Sequence, residues 1–446
     1  MNGFNLSDIT DAKLGTTTLG SIYLGSTKLW PLGPDYSKEY FTIEALKNTT
    51  IRLHKNTTSG KKRTVAFSRN GKTWSRLVTQ GDTIDYEYDN VELSAGEKIY
   101  IQSIEWPNVT TSDYAYFTSN GNINVYGNVN SIIDRDFKTR NITRNYMFYK
   151  LFYKLPIVDA SNLVLPSTPG NYSYQSMFED CDQLIYPPKT LSGTEVGDYG
   201  CSCMFSGCTS LATAPVLPAT ILANYCYEHM FQNCTSLTAA PELPATTLAP
   251  SCYNYMFYGC SSLITAPELP ATTLANSCYA YMFEGCSSLA TAPELPATTL
   301  AQSCYMSMFA VTKITAAPEL PATTLADSCY RNMFYGCSSL RYPPTLNATI
   351  LQPRCYQHMF FGCTSLKTAP ELPATTLVTY CYAFMFQNCT LLSYIKCLAT
   401  NISASNSHAW WLYNVASTGT FTKKASMTSW PANAHGIPSG WTIVNV

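Results

Sequence analysis

The chain has 446 residues, and its 28 basic against 29 acidic side chains leave a formal net charge of −1 at pH 7. That balance excludes the electrostatic footprint of a general nucleic-acid binder. A hydrophobic content of 46% is ample for an extended core, yet no apolar run approaches the ~18 residues of a membrane span, so no membrane insertion is expected.

The start, MNGFNLSDITDAKLGTTTLG, lacks a basic stretch followed by an apolar run and is not read as a secretory signal peptide. The expectation is a soluble protein made in a cytoplasm. Residues 1–34 form a first unit, in which SIYLGSTKLWP alternates as a short strand with a glycine turn and Pro31, Gly33 and Pro34 make a linker. In residues 35–128, seven short alternating segments follow: YFTIEAL, NTTIRLH, RTVAFSR, KTWSRLV, TIDYEYD, KIYIQSI and NINVYGN. Gly, Asn, Asp and Ser separate them, which predicts an antiparallel β-sandwich with a hairpin turn at Asn70-Gly71.

Residues 129–398 repeat. The dipeptide Met-Phe recurs at Met147, Met177, Met204, Met230, Met256, Met282, Met308, Met333, Met359 and Met385, mostly 26 residues apart, with a first step of 30, then 27, and a single 25. Trp411-Leu412 continues the register in a degraded copy. A fixed period of this size means a solenoid whose units bury their apolar faces only against neighbours. Within one copy, Cys278, Tyr279, Met282, Phe283 and Cys286 read as one face of a short helical turn, with Ala280, Tyr281, Glu284 and Gly285 facing outward. Pro293 and Pro296 forbid helix beyond it, so a very short strand is expected near Leu289 to Ala292, then turns that return Leu295 and Leu300 inward. Residues 399–446 supply two strand-like pieces around a Trp/Pro/Gly loop and read as the C-terminal cap. The fold class is therefore mainly β with short helical turns: an N-terminal anchor, a sandwich, and a leucine-rich-repeat solenoid of about ten 26-residue coils with its cap.

The 18 cysteines lie between Cys181 and Cys397, nearly all four residues before or four after the repeat Met. Their spacing is the spacing of the coil, so they read as free, buried thiols rather than a disulfide framework. No CxxC pair occurs and no histidine shares a repeat-wide column with them, so no metal site and no cofactor is expected.

The pattern MFYGCSSL, APELPATTLA and CY, repeated over about 260 residues, resembles the bacterial surface leucine-rich repeat of the BspA or Treponema type. That resemblance implies adhesion to host proteins or to other cells. The flanking IYLGSTKLW, NVYGNVNSI and TFTKKA, WP, GIPSGWTIV pieces are similar to virion-fibre proteins of crAss-like phages of gut Bacteroidales. That second resemblance implies a virion protein assembled in the host cytoplasm, attached to a virion scaffold through its N-terminal segment and trimeric if it is a fibre. The expected function is accordingly a non-enzymatic phage fibre or decoration protein that binds a bacterial surface glycan or protein. The alternative is a bacterial cell-surface adhesin, with a glycan-degrading tail protein further off.

Comparison of copies points to a binding face. Positions that agree are held by packing, and the outward positions around each Met differ most. His229, Tyr255, Tyr258, Tyr281, Tyr335, His358, Phe361 and Phe384 stand there as a candidate ridge suited to a carbohydrate or a protein surface. The glutamates of APEL, Glu242, Glu268, Glu294, Glu319 and Glu371, form a second ladder that lacks the several oxygen ligands calcium needs and reads as solvated charge. No nucleophile elbow, HExxH or phosphate loop occurs, and no regular copy stands out with a pair of acids for glycoside hydrolysis; Glu179, Asp180 and Asp182 of the irregular FEDCDQL are the one place for such a site and read as solvated charge.

Overall fold

The computed structural model describes residues 35–446 except 57–62, 80–86, 107–108, 139–143, 168–169, 192, 432 and 434, and of the first 34 residues only the backbone of four short strands. These are β1 (Lys13–Leu14), β2 (Thr17–Thr18), β3 (Ile22–Leu24) and β4 (Thr27–Trp30), paired antiparallel as β1 with β2 and β3 with β4. The expected strand of SIYLGSTKLWP is thus two strands; the linker prolines lie outside the described residues.

Nine strands follow: β5 (Phe41–Ala45), β6 (Thr49–Asn56), β7 (Thr64–Ser68), β8 (Ser75–Val78), β9 (Glu87–Tyr88), β10 (Asn90–Leu93), β11 (Lys98–Glu105), β12 (Tyr114–Ser119) and β13 (Ile123–Asn128). One sheet runs β13-β5-β11-β7-β8-β9 and a second runs β10-β6-β12. Side chains alternate with the pleat, so β11 buries Ile99, Ile101 and Ser103 while its other residues are wetter. Phe41 of the first sheet and Phe117 of the second meet at 5.9 Å, closing the two faces on one core. Strands β10 and β12 are additions to the seven segments expected from sequence, and β8 pairs β9 in parallel where antiparallel pairing was expected. The Asn70-Gly71 turn is present, with Gly71 at φ 71° and Asn70 Oδ1 accepting from the N–H groups of Lys72 and Thr73.

The sandwich and the solenoid share a sheet. Beyond β13 lie β14 (Ile157–Asp159) and β15 (Leu163–Val164), both parallel to it. The N–H of Gly127 reaches Asn162 O at 3.2 Å, and a Cβ on Gly127, which sits at φ 79°, would collide with the carbonyl of Tyr40. One continuous hydrophobic cluster therefore runs from Phe41 to Trp441.

The coil differs from expectation at its centre. Among the described residues there is no α-helix, and the Cys-to-Cys segment is a run of tandem β-turns. In the coil centred on Met256, alternate N–H groups close turns locally, as Met256 to Tyr253 O and Tyr258 to Tyr255 O, while the residues between them reach the next coil, as Tyr253 to Cys278 O and Phe257 to Met282 O. Each residue pair thus satisfies one donor locally and one across the stack. The turn ribbon repeats every four residues, and the residues five before, one before and three after each Met take positive φ: Ser251 at 54°, Tyr255 at 55°, Gly259 at 71°. Such φ values belong to the third residue of a type II turn.

The hydrogen bonds also correct the first register. Phe152 N–H donates to Met177 O, as Phe178 does to Met204 O, so Leu151 and not Met147 occupies the Met column. The apparent step of 30 is the ordinary 26 from Leu151, and Met147-Phe148 fill the positions four and three earlier, where Phe148 stacks on Tyr174 at 6.0 Å. At the far end Trp411 continues the column as expected, with Phe386 N–H on its carbonyl. The strand expected near Leu289 to Ala292 is reduced to single bridges in neighbouring coils, such as Ala239 with Thr265. Leu295 and Leu300 are buried as expected. Two short strands, β16 (Glu195–Val196) and β17 (Ile221–Leu222), pair in parallel in the early coils, and β18 (Tyr394–Cys397), β19 (Gly419–Lys423) and β20 (Trp441–Asn445) close the stack as a parallel sheet.

Candidate functional site

Inside the coil, columns of identical side chains stack. Tyr227, Tyr253, Tyr279 and Tyr305 are buried with ring centroids 5.8 to 5.9 Å apart, and the Phe column beside them repeats at similar spacing. All 18 cysteines are free, and all but the half-buried Cys203 are buried. The thiol four residues after each Met donates to the Phe carbonyl of the preceding coil, as Cys260 Sγ to Phe231 O at 3.0 Å and Cys286 Sγ to Phe257 O at 3.1 Å. Burial pushes these thiols up, to about 12 for Cys260, so they remain protonated donors and poor nucleophiles. Thr312 makes the equivalent bond within its own coil, to Phe309 O at 2.8 Å.

The variable turn face lies outside these columns. The candidate ridge residues do come together there, but as ladders and not as free rings. His229 stacks on Tyr255 at 4.6 Å and Tyr255 on Tyr281 at 4.2 Å. Further along, Tyr335 stacks on Phe361 at 4.7 Å and His358 on Phe384 at 4.6 Å. Tyr258 leans on Tyr255 at 5.5 Å. Stacking hides the ring faces, so seven of the eight are half-buried and only Tyr335, at 37%, is exposed. The expectation that these positions face freely outward is corrected accordingly; solvent meets ring edges and polar atoms. Ala280, expected from the sequence to face outward, is buried, as are Ser307, Ala310 and Ala383 at the corresponding positions of other coils.

Two groups of residues on this face depart from the sequence reading: polar positions expected to face outward are buried, and a further ladder went unnoticed. Asn254 and Gln357, each two residues before a Met, are only 9% and 8% exposed, and Asn254 Oδ1 and Gln357 Oε1 have no hydrogen-bond partner. Gln175 Oε1, His229 Nδ1, Glu284 Oε2, Arg331 Nε, Asn332 Oδ1 and His358 Nδ1 are in the same condition on the same face. Buried polar atoms are nearly always paired, so their concentration on one face sets it apart from the columns of the coil interior. Burial raises Glu228 to about 7 and lowers His358 to about 4, the latter with help from Arg331. The second group is a tyrosine ladder five residues before the Met column, Tyr146, Tyr172, Tyr199 and Tyr225, stacked at 4.4, 4.9 and 4.6 Å. Its spacing of 26, 27 and 26 was open to view in the sequence.

The APEL glutamates are exposed, and shallow grooves of about 480 and 460 Å³ repeat between successive APELP segments. Glu371 is paired with Lys396 at 2.9 Å, which closes that ladder. Among the described residues, no three His, Cys, Asp or Glu side chains are placed to hold a metal ion, and no helix is long and apolar enough to cross a membrane.

A family model described as BspA type leucine rich repeat region matches residues 201–341 and 299–434, together just over half of the chain. Among solved structures, a leucine-rich repeat protein from Bacteroides ovatus is similar over 68% of this chain and 78% of its own, at 17% identity and a TM-score of 0.36. No curated protein matches the chain.

Proposed function

The chain belongs to the BspA-type leucine-rich-repeat family, and from that premise we propose that it is a non-catalytic, adhesin-like protein whose turn face binds a glycan or protein on a cell surface. Proteins of this family are typically bacterial surface proteins, and their repeat is a binding scaffold. One observation carries the reading to the turn face: the coil interior is nearly invariant, while the side chains around each Met vary from copy to copy and hold eight buried polar atoms without partners. Packing does not require that variety, and recognition does.

The test uses the immobilised full chain and labelled cells. Replacing Tyr255, Tyr281 and Phe384 together with alanine breaks the His229–Tyr255–Tyr281 ladder and the His358–Phe384 pair, and cell retention is expected to fall about ten-fold or more. Breaking a stacked ring pair also costs about 0.5–1.5 kcal/mol, so melting is read in parallel and binding is measured at a temperature where the variant remains folded. Retention equal to the parent moves the function off this face.

The virion-fibre reading draws its support from the flanking segments alone. Mass spectrometry of density-purified particles and of washed envelopes separates the two: stoichiometric chain in particles favours the fibre, and chain confined to envelopes favours the adhesin. Attachment through residues 1–34 and a trimeric state belong to the fibre reading and stand or fall with it.

A further inference from the structure

Among the described residues, the turn face carries one cation with no acid to answer it. Arg331 is half-buried, and its Nε is shielded from solvent without a hydrogen-bond partner. Arg354, one coil on, shows what a structural arginine does here: it pairs with Asp327 at 3.5 Å and lies over the ring of Tyr380. Around Arg331, Asn332 Oδ1, Gln357 Oε1 and His358 Nδ1 are likewise buried and unpartnered, and Gln357 is more than nine-tenths buried. The stacked pair Tyr335 and Phe361 flanks them. On the three variable columns of the coils centred on Met308, Met333, Met359 and Met385 there is no aspartate or glutamate.

Holding the Nε of a guanidinium out of water without a partner or a counter-charge costs stability. The arrangement matches the chemistry that receives a carboxylate. One edge of a guanidinium offers two parallel N–H donors to two carboxylate oxygens. The amides of Asn332 and Gln357, reversible in orientation, and the neutral imidazole of His358 suit the hydroxyls of a sugar ring. The other cluster on this face, around His229 and Tyr255, has Glu228 and Glu284 and no cation, so it would repel the same ligand.

We propose that Arg331, Gln357 and His358 form a subsite for a carboxylate-bearing sugar of a surface glycan. The proposal rests on the reading of the turn face as the binding surface and names the ligand class for one half of it.

The experiment measures binding of the full chain to two immobilised acidic sugars, oligogalacturonate and polysialate, and to carboxyl-reduced oligogalacturonate and a glutamate-rich peptide. The parent is expected to bind an acidic sugar about ten-fold or more tightly than the reduced polymer and the peptide, and Arg331→Met to lose that margin. Arg331→Lys should recover only part of it, because an ammonium is a point charge and not a two-pronged donor. Melting of Arg331→Met should equal or exceed that of the parent, which separates lost binding from lost folding. Equal binding of the parent and Arg331→Met to the acidic sugar overturns the subsite, as does parent binding to the reduced polymer or the peptide at the same strength. The subsite also fails if the parent ignores oligogalacturonate and polysialate alike. If cell retention by the parent still depends on the ladder rings in that case, the turn-face reading survives; if retention too is indifferent to them, both fall.

Discussion

The sandwich and the solenoid bury their cores by opposite means. In the sandwich each contact is made once and between distant segments: Ile123 of β13 lies opposite Ala45 of β5, and Phe41 meets Phe117. In the solenoid the backbone contacts between coils join residues mostly 24 to 27 positions apart and are repeated down the stack. A change in the sandwich therefore has no copy to compare with and disturbs the whole unit. A change in the solenoid is felt by two neighbouring coils, and the other coils supply its controls.

The sharpest way to break that contrast is at Asp113. Arg63 is fully buried, with its guanidinium 2.7 Å from Asp113 Oδ1 and 3.0 Å from Asp113 O. Asp113→Ala leaves a buried charge without its acid and should destabilise by about 3–5 kcal/mol, read as a lower urea midpoint. Because the core is continuous through β13, the transition also reports coupling. One shifted transition for the whole chain means that sandwich and solenoid unfold together; a shifted early phase followed by an unmoved one means that the coils stand alone. A midpoint equal to the parent would show that the pair contributes nothing.

A smaller effect of opposite sign is expected at Val311. This β-branched residue sits at φ 58° with its side chain half exposed, where five other coils place Gly207, Gly259, Gly285, Gly336 and Gly362. Left-handed backbone costs an L-residue roughly 1–2 kcal/mol. Glycine gives back about 0.5–1 kcal/mol through the freer unfolded chain. Val311→Gly should then raise stability by about 0.5–1 kcal/mol, and Gly285→Val, where a Cβ meets only ordinary contacts at 3.5 Å, should lower it by a similar amount. Changes of the same sign in both variants would mean that packing and not backbone strain decides this position.

The comparison also explains what the sequence could and could not convey. Period, columns, free thiols and the Trp411 continuation were legible because each is written many times. The turn ribbon was legible too and was misread: buried positions at i, i+1, i+4, i+5 and i+8 repeat every four residues, whereas a helix of 3.6 residues per turn would also bury i+3 or i+7. Gly285 stands at i+7, in left-handed backbone that a helix forbids. The first coil was displaced because Met147-Phe148 mimics the anchor four residues early. Strand β10 went unnoticed because it is four residues long and follows β9 after a single residue, and β12 because its YAYF start is apolar throughout and shows no alternation. On the turn face, aromatic identity was visible, but mutual stacking and the unpartnered state of Asn254, Gln357 and Arg331 depend on which residues the coil rise sets side by side.

The smallest expected effect separates the two regions by the sign of a pH dependence. In the sandwich, the backbone N–H of Ser94 holds the exposed Glu97 carboxyl below its usual value, so this group adds stability above the unfolded range that is lost on acidification. On the turn face, burial holds Glu228 at about 7, so the folded state keeps a proton that the unfolded chain has released. Between the unfolded value near 4.5 and about 7, that term lowers stability as pH rises. His229, His358 and His408 are all lowered by burial and act in the reverse direction over an overlapping window, so the parent's own profile mixes the two. Subtracting the profile of Glu228→Gln isolates the carboxyl. The difference should vanish near pH 4 and grow to about 1 kcal/mol or less in favour of Gln by pH 8, a modest value because the side chain keeps some contact with solvent. A difference that instead grows in favour of the parent would mean that the carboxylate has a stabilising partner on the turn face, and that its partner and not its burial sets the pH dependence.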